Sequence, residues 1–179
     1  MSKRIIPVFS VIIAGLVIIL AVFMIIRDAK FELSNEMYGE GQIINTTIED
    51  VEDKIIKQQS FALFVSQPGC RTADDLRKII KEFASIHHLI IYEIDYSGLR
   101  ESGLVPGLKF YPSFVVFRRG NPIDFLEADN SEDVSAYSTL DGFSTWFTDH
   151  IIMKDWHDAG RDYAARHSAL TLRLCWAAI

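Results

Sequence analysis

The sequence predicts an α/β fold, a mixed sheet with flanking helices, preceded by one N-terminal transmembrane helix. Three observations carry that prediction. Ile5 to Ile26 is almost wholly apolar, interrupted only by Pro7, Ser10 and Gly15. Beyond Thr46, stretches with helical spacing alternate with short apolar runs and then give way to a hairpin signal. Hydrophobic residues make up 49% and charged residues 23%, a balance that folds rather than stays disordered.

At about 1.5 Å per residue, the first apolar run covers the roughly 30 Å hydrocarbon core of a bilayer. A cleaved signal peptide would have a shorter apolar region, about 7–15 residues, with small residues before the cut. Ile25, Ile26 and Arg27 close this run instead, so residues 1–27 read as an uncleaved anchor. Lys3 and Arg4 flank one side and Arg27 and Lys30 the other, so basic residues do not set the orientation. Residues 28–40 are polar and mixed, and read as a linker or a first short strand.

The domain is expected over residues 41–153. Thr46 and Glu49 have the form of a capping box, followed by Ile48, Val51, Ile55 and Ile56 at helical spacing. "SFALFVS" is a continuous apolar run, as a strand covered on both faces requires. After Cys70, one stripe of a second helix is formed by Leu76, Ile79, Ile80, Phe83 and Ala84. "LIIYEIDY" is another buried strand. "SGLRESGLVPGLKFYPS" is broken by glycines and prolines and reads as loop. "SFVVF", "RRGNP" and "IDFLEA" then read as strand, turn and antiparallel strand. Leu140, Phe143, Trp146, Phe147 and Ile151 make a last amphipathic helix whose aromatics are core contacts. From Lys154 the chain turns rich in Ala and Arg, so residues 154–179 form an atypical extension without a domain of its own.

A net charge of −6 with no basic cluster argues against nucleic acid as a partner. The two cysteines, Cys70 and Cys175, make neither a disulfide scaffold nor a metal signature. His87, His88, His150, His157 and His167 lack ligand-like spacing, so no metal and no cofactor is expected. "NTT" at Asn45 fits a glycosylation acceptor and equally a helix cap.

The element order, the cysteine at a strand-to-helix turn and "YPS" before an apolar strand together resemble the thioredoxin-like superfamily, over roughly Gly41 to Met153. "LFVSQPGCRTADDLRKI" is most similar to small bacterial membrane-anchored thioredoxin-like proteins of the bacteriocin transport accessory type. The resemblance puts the family's first active cysteine on Cys70 and its cis-proline on Pro112. Its resolving cysteine falls on Ala73 and its buried acid on Phe64. Gly69 stands in the place of the active-site tryptophan. Gly69, Tyr111 and Pro112 are the implied substrate-binding residues, and the resemblance implies that the N-terminus is cytoplasmic and the domain extracytoplasmic.

A thiolate at a helix start is a competent nucleophile, and one thiolate can attack a disulfide to form a mixed disulfide. With Ala73 in the resolver's place, release needs a second protein, a small thiol or Cys175. The activity implied is therefore at most that of a monothiol thiol–disulfide oxidoreductase or isomerase. Two readings stay open. Cys70 is the lone nucleophile of extracytoplasmic thiol–disulfide chemistry, with a protein or peptide partner. Otherwise Cys70 is an inert small hydrophobe, and the chain is a redox-inactive binding module that holds a partner at the membrane through the surface around Pro112.

Overall fold

The computed structural model describes residues 15, 29–109 and 112–154. The chain divides into two compact units, Met1–Lys30 and Phe31–Ile179. All that follows concerns the second. The expected anchor, Ile5 to Ile26, lies outside the described residues, apart from Gly15. So does the extension beyond Lys154. Among the described residues no helix is long and apolar enough to cross a membrane.

Five strands form one mixed sheet: β1 (Gln42–Asn45), β2 (Phe61–Ser66), β3 (Ile90–Asp95), β4 (Ser113–Arg118) and β5 (Asn121–Phe125), in the order β1-β3-β2-β4-β5. β1 and β2 both run parallel to β3, whereas β4 is antiparallel to β2 and β5. β2 lies at the centre and all six of its residues are buried. That is why its sequence shows no polar alternation.

The pleat divides the side chains between two faces. Registers Leu63↔Tyr92 and Phe61↔Phe117 put these four on one face, where Phe61 and Phe117 stack at 4.4 Å. Helix α1 (Ile48–Ile56) covers this face, with Lys54 Nζ 4.2 Å from the Tyr92 ring centroid. Helix α3 (Tyr96–Ser102) lies beside α1, Gly98 facing Ile48. Registers Phe64↔Glu93 and Phe64↔Phe114 define the opposite face. It is covered by α2 (Arg71–His87), by the short α4 (Val134–Ser138) and by α5 (Leu140–His150). The core there is aromatic: Phe83 meets Phe143 at 5.1 Å and Phe147 at 4.8 Å, and Phe114 meets Phe143 edge-on at 4.9 Å. Phe143 and Phe147 are fully buried, as the expected core role requires.

Several local expectations need correction. The cap of α1 is Thr47, not Thr46, and it forms its capping box with Asp50 rather than Glu49. Thr46 is still committed to the sheet, its N–H bonding Glu93 O at 2.9 Å, so the helix starts one residue later. Ile56 is 79% exposed and drops out of the predicted stripe. The stretch read as loop contains α3, started by Asp95, whose carboxylate accepts from Ser97 N at 2.8 Å, and ended by Gly103 at φ +68°.

The 28–40 segment is also more than a linker. Phe31, Leu33, Met37 and Tyr38 are buried in the core. Phe31 N donates to His150 O at 3.0 Å and Ile152 N to Phe31 O at 2.8 Å, fastening the segment beside the end of α5. Lys154 belongs to the same junction, with Nζ 2.7 Å from Asn35 Oδ1 and 3.2 Å from Glu32 Oε2.

Candidate functional site

β2 delivers the chain to the site. After Ser66 a turn closes with Cys70 N donating to Gln67 O at 3.2 Å. Gly69 takes φ +73° in open space, so the position calls for glycine by conformation rather than by lack of room. Cys70 is the N-cap of α2, in extended conformation at φ −93° and ψ 117°. Its carbonyl accepts the first helical bond, from Asp74 N at 3.2 Å. A serine or aspartate there would satisfy one of the orphan N–H groups; the Cys70 side chain makes no capping hydrogen bond. The thiol is free and half-buried, with its residue packed against the core.

Pro112 is buried and directly precedes β4. Because Ser113 pairs with Val65, the antiparallel register brings Pro112 to the end of the sheet from which the Cys70 turn departs. The Pro112 carbonyl lies 2.8 Å from the Tyr137 hydroxyl, which also lies 3.1 Å from Leu126 O. Tyr137 thereby ties α4 to the strand's start. Tyr111 lies outside the described residues. The Tyr111–Pro112 peptide bond, expected to be cis, falls outside them with it.

Below the thiol turn, the two positions where the resemblance implies redox machinery are apolar. Ala73 and Phe64 are both fully buried. Beside them stands a charged group that the sequence reading did not single out. Arg77 Nη2 lies 2.6 Å from Glu93 Oε1, its Nε 3.2 Å from both Glu93 oxygens, and its Nη1 2.7 Å from Asp74 Oδ1. Its guanidinium carbon is 5.5 Å from the Phe64 ring centroid. Hydrogen bonding to Glu93 is the main reason the Arg77 pKa rises further above its ordinary value. A glutamate flanked by apolar residues inside the strand, "IIYEID", was the available signal for Glu93. Nothing local paired it with Arg77. Nearby, Asp75 pairs with Lys78 at 2.8 Å, a hydrogen bond that holds its carboxyl below the usual range.

Among the described residues no group of three or more His, Cys, Asp or Glu side chains is placed to hold a metal ion. His87 packs its ring on Phe83 at 4.4 Å, and burial lowers its pKa. His88 ends α2 in the left-handed conformation.

The strand order, strand directions and two helical layers make this a thioredoxin-like mixed sheet with flanking helices. No family model and no curated protein matches the chain. Solved structures of thioredoxin-fold proteins do. The J-Trx1 fragment of ERdj5 is 19% identical with a TM-score of 0.46, the match covering 61% of this chain and 51% of that one. The chain therefore spans about half the length of that fragment. Thioredoxin from Trypanosoma brucei brucei is 8% identical over 61% of this chain and 94% of its own, with a TM-score of 0.45. Thioredoxin from Schistosoma mansoni is 12% identical over 62% and 94%, with a TM-score of 0.44.

Proposed function

We propose that the chain is a membrane-anchored thioredoxin-fold protein that acts on a partner's disulfide outside the cytoplasm through a single nucleophile, Cys70. The observation that carries this reading is the thiol's place: an N-cap side chain with no capping bond, at the start of a 17-residue helix whose first N–H groups and dipole favour an anion. The Cys70 thiolate attacks one sulfur of the partner's disulfide. That S–S bond breaks, a new one forms to Cys70, and the partner's other sulfur leaves as a thiolate. Buried Ala73 supplies no resolving thiol, so an outside thiol must attack the mixed disulfide to release Cys70.

A second reading is supported by the same interior. With Phe64 and Ala73 apolar, the fold can serve as a redox-silent module that holds an extended peptide near Pro112. The two separate on one experiment. The full chain carrying Cys175→Ser is incubated with glutathione disulfide, with and without Cys70→Ser, and weighed by mass spectrometry. The first reading expects one glutathionyl group, lost with Cys70→Ser and removed by excess glutathione. A folded chain that takes up none leaves only the binding module. For the topology, a membrane-impermeant thiol reagent should label Cys70 in intact cells. Labelling only after lysis would place the domain on the cytoplasmic side.

A further inference from the structure

Arg71, Arg77 and Lys78 all lie in the first two turns of α2, but Arg77 is the cation there that meets two carboxylates at once. Asp74 and Arg77, three residues apart, share a helix face, and Cys70 precedes them as the N-cap, its carbonyl bonded to Asp74 N. Asp74 is thus the carboxylate one turn from the thiol, and Arg77 holds it at 2.7 Å. The same guanidinium forks onto Glu93, whose side chain is only 12% exposed and stands next to Phe64 in the sheet register. The other acid of these turns, Asp75, is paired with Lys78. Acids in a helix's first turn complement its dipole, yet an uncompensated one would repel an anionic sulfur at the N-cap. Here neither Asp74 nor Asp75 is left uncompensated.

We infer that Arg77 is a positioning residue for the chemistry of Cys70: by binding Asp74 and Glu93 together, it keeps their negative charge from opposing the thiolate nucleophile. The inference rests on the reading of Cys70 given above. One unit charge about 6 Å away, through an effective dielectric of about 40–80, changes an anion's population by about three- to tenfold. That is the expected loss in reaction rate when Asp74 is unmasked.

The test uses the full chain with Cys175→Ser and iodoacetamide as the probe, with alkylation of Cys70 followed from pH 5 to 9. Arg77→Met with Glu93→Leu replaces the inner pair by apolar side chains, a swap that folded proteins tolerate, and leaves Asp74 bare. Near neutral pH the rate should fall about three- to tenfold, and adding Asp74→Asn should restore it. Asp74→Asn alone, with Arg77 in place, should stay within about twofold of wild type. A double variant at the wild-type rate, or a slow one that Asp74→Asn fails to rescue, overturns the inference. Should the double variant unfold, Arg77→Gln decides: the rate must fall and adding Asp74→Asn must restore it, and an unchanged rate overturns the inference. Uptake of glutathione is scored separately. Arg77-dependent alkylation without glutathione uptake removes the functional reading alone, and a folded wild type inert to both reagents removes the two together.

Discussion

Ala73→Cys is the perturbation that bears most directly on the site. Residues at N-cap and N3 of a helix have Cα atoms about 5 Å apart, inside the window for a disulfide. Ala73 has 0% exposure in a close-packed interior, so an added sulfur should cost the reduced variant about 1–3 kcal/mol. Closing a loop of about four residues returns about 1.9 kcal/mol by the chain-entropy relation. The oxidised variant should therefore lie within about 1 kcal/mol of wild type and above its own reduced form by about 2 kcal/mol. By linkage, folding should lower the pair's reduction potential by about 40 mV relative to the unfolded chain. The assay is urea unfolding with and without dithiothreitol, in a Cys175→Ser background, together with insulin reduction. Turnover should appear where the wild type has almost none, and remain modest, because Phe64 offers no carboxylate to move protons. Equal unfolding midpoints for the two redox forms would refute the reasoning. So would a variant that forms no disulfide while Cys70 still alkylates.

Three further outcomes follow from the packing. His150 places Nε2 2.9 Å from Asp124 Oδ2 and Nδ1 2.9 Å from Trp146 O, two acceptors that only the doubly protonated ring can satisfy together. Burial works to lower its pKa, but the bond to Asp124, the Trp146 carbonyl and the charges of Asp124 and Asp149 outweigh it, and the net shift is upward. Its contribution is thus complete below the unfolded value of about 6.5 and fades as pH rises through the raised folded value; His150→Gln should flatten that decline in thermal melts from about pH 5.5 to 8.5. Gly120→Ala should destabilise by more than about 2 kcal/mol in urea titrations, since φ is +78° and a Cβ would sit 2.4 Å from Ile55 O. Phe114→Ala, at a fully buried ring against Phe143, Trp146 and Phe147, should cost about 3–5 kcal/mol in the same assay.

What the sequence disclosed depended on how local each signal was. β2 was legible because six buried residues in a row leave no polar alternation. The hairpin was legible from "RRGNP", and Arg119 and Gly120 do take positive φ, as a two-residue hairpin turn demands. The position of Cys70 at a helix start was read correctly because the strand and the helical stripe meet there. β1 escaped because its four residues hold only two apolar ones, Ile43 and Ile44, and its pairing with β3 is long-range. α3 escaped because Gly98 and Gly103 read as breakers, although the second merely caps it. Phe31, Leu33 and Met37 looked like isolated apolar residues in a polar stretch. Their burial depends on hydrogen bonds to Ser60 and His150, far along the chain. The Arg77–Glu93 pair spans 16 residues and two elements, beyond the reach of any periodicity.

The alanine at position 73 also decides what a thiol at position 70 can respond to. A dithiol closing on itself consumes one glutathione disulfide and releases two glutathione molecules, so its balance depends on the square of the glutathione concentration over that of the disulfide. A lone thiol exchanges one for one, and its balance depends only on the ratio of disulfide to thiol. Diluting or concentrating the whole pool at fixed ratio would shift a dithiol and leave Cys70 where it was. On the proposed reading, the interior that denies Cys70 a partner makes the fraction of chains carrying a mixed disulfide a gauge of redox ratio alone, blind to how much thiol surrounds the protein.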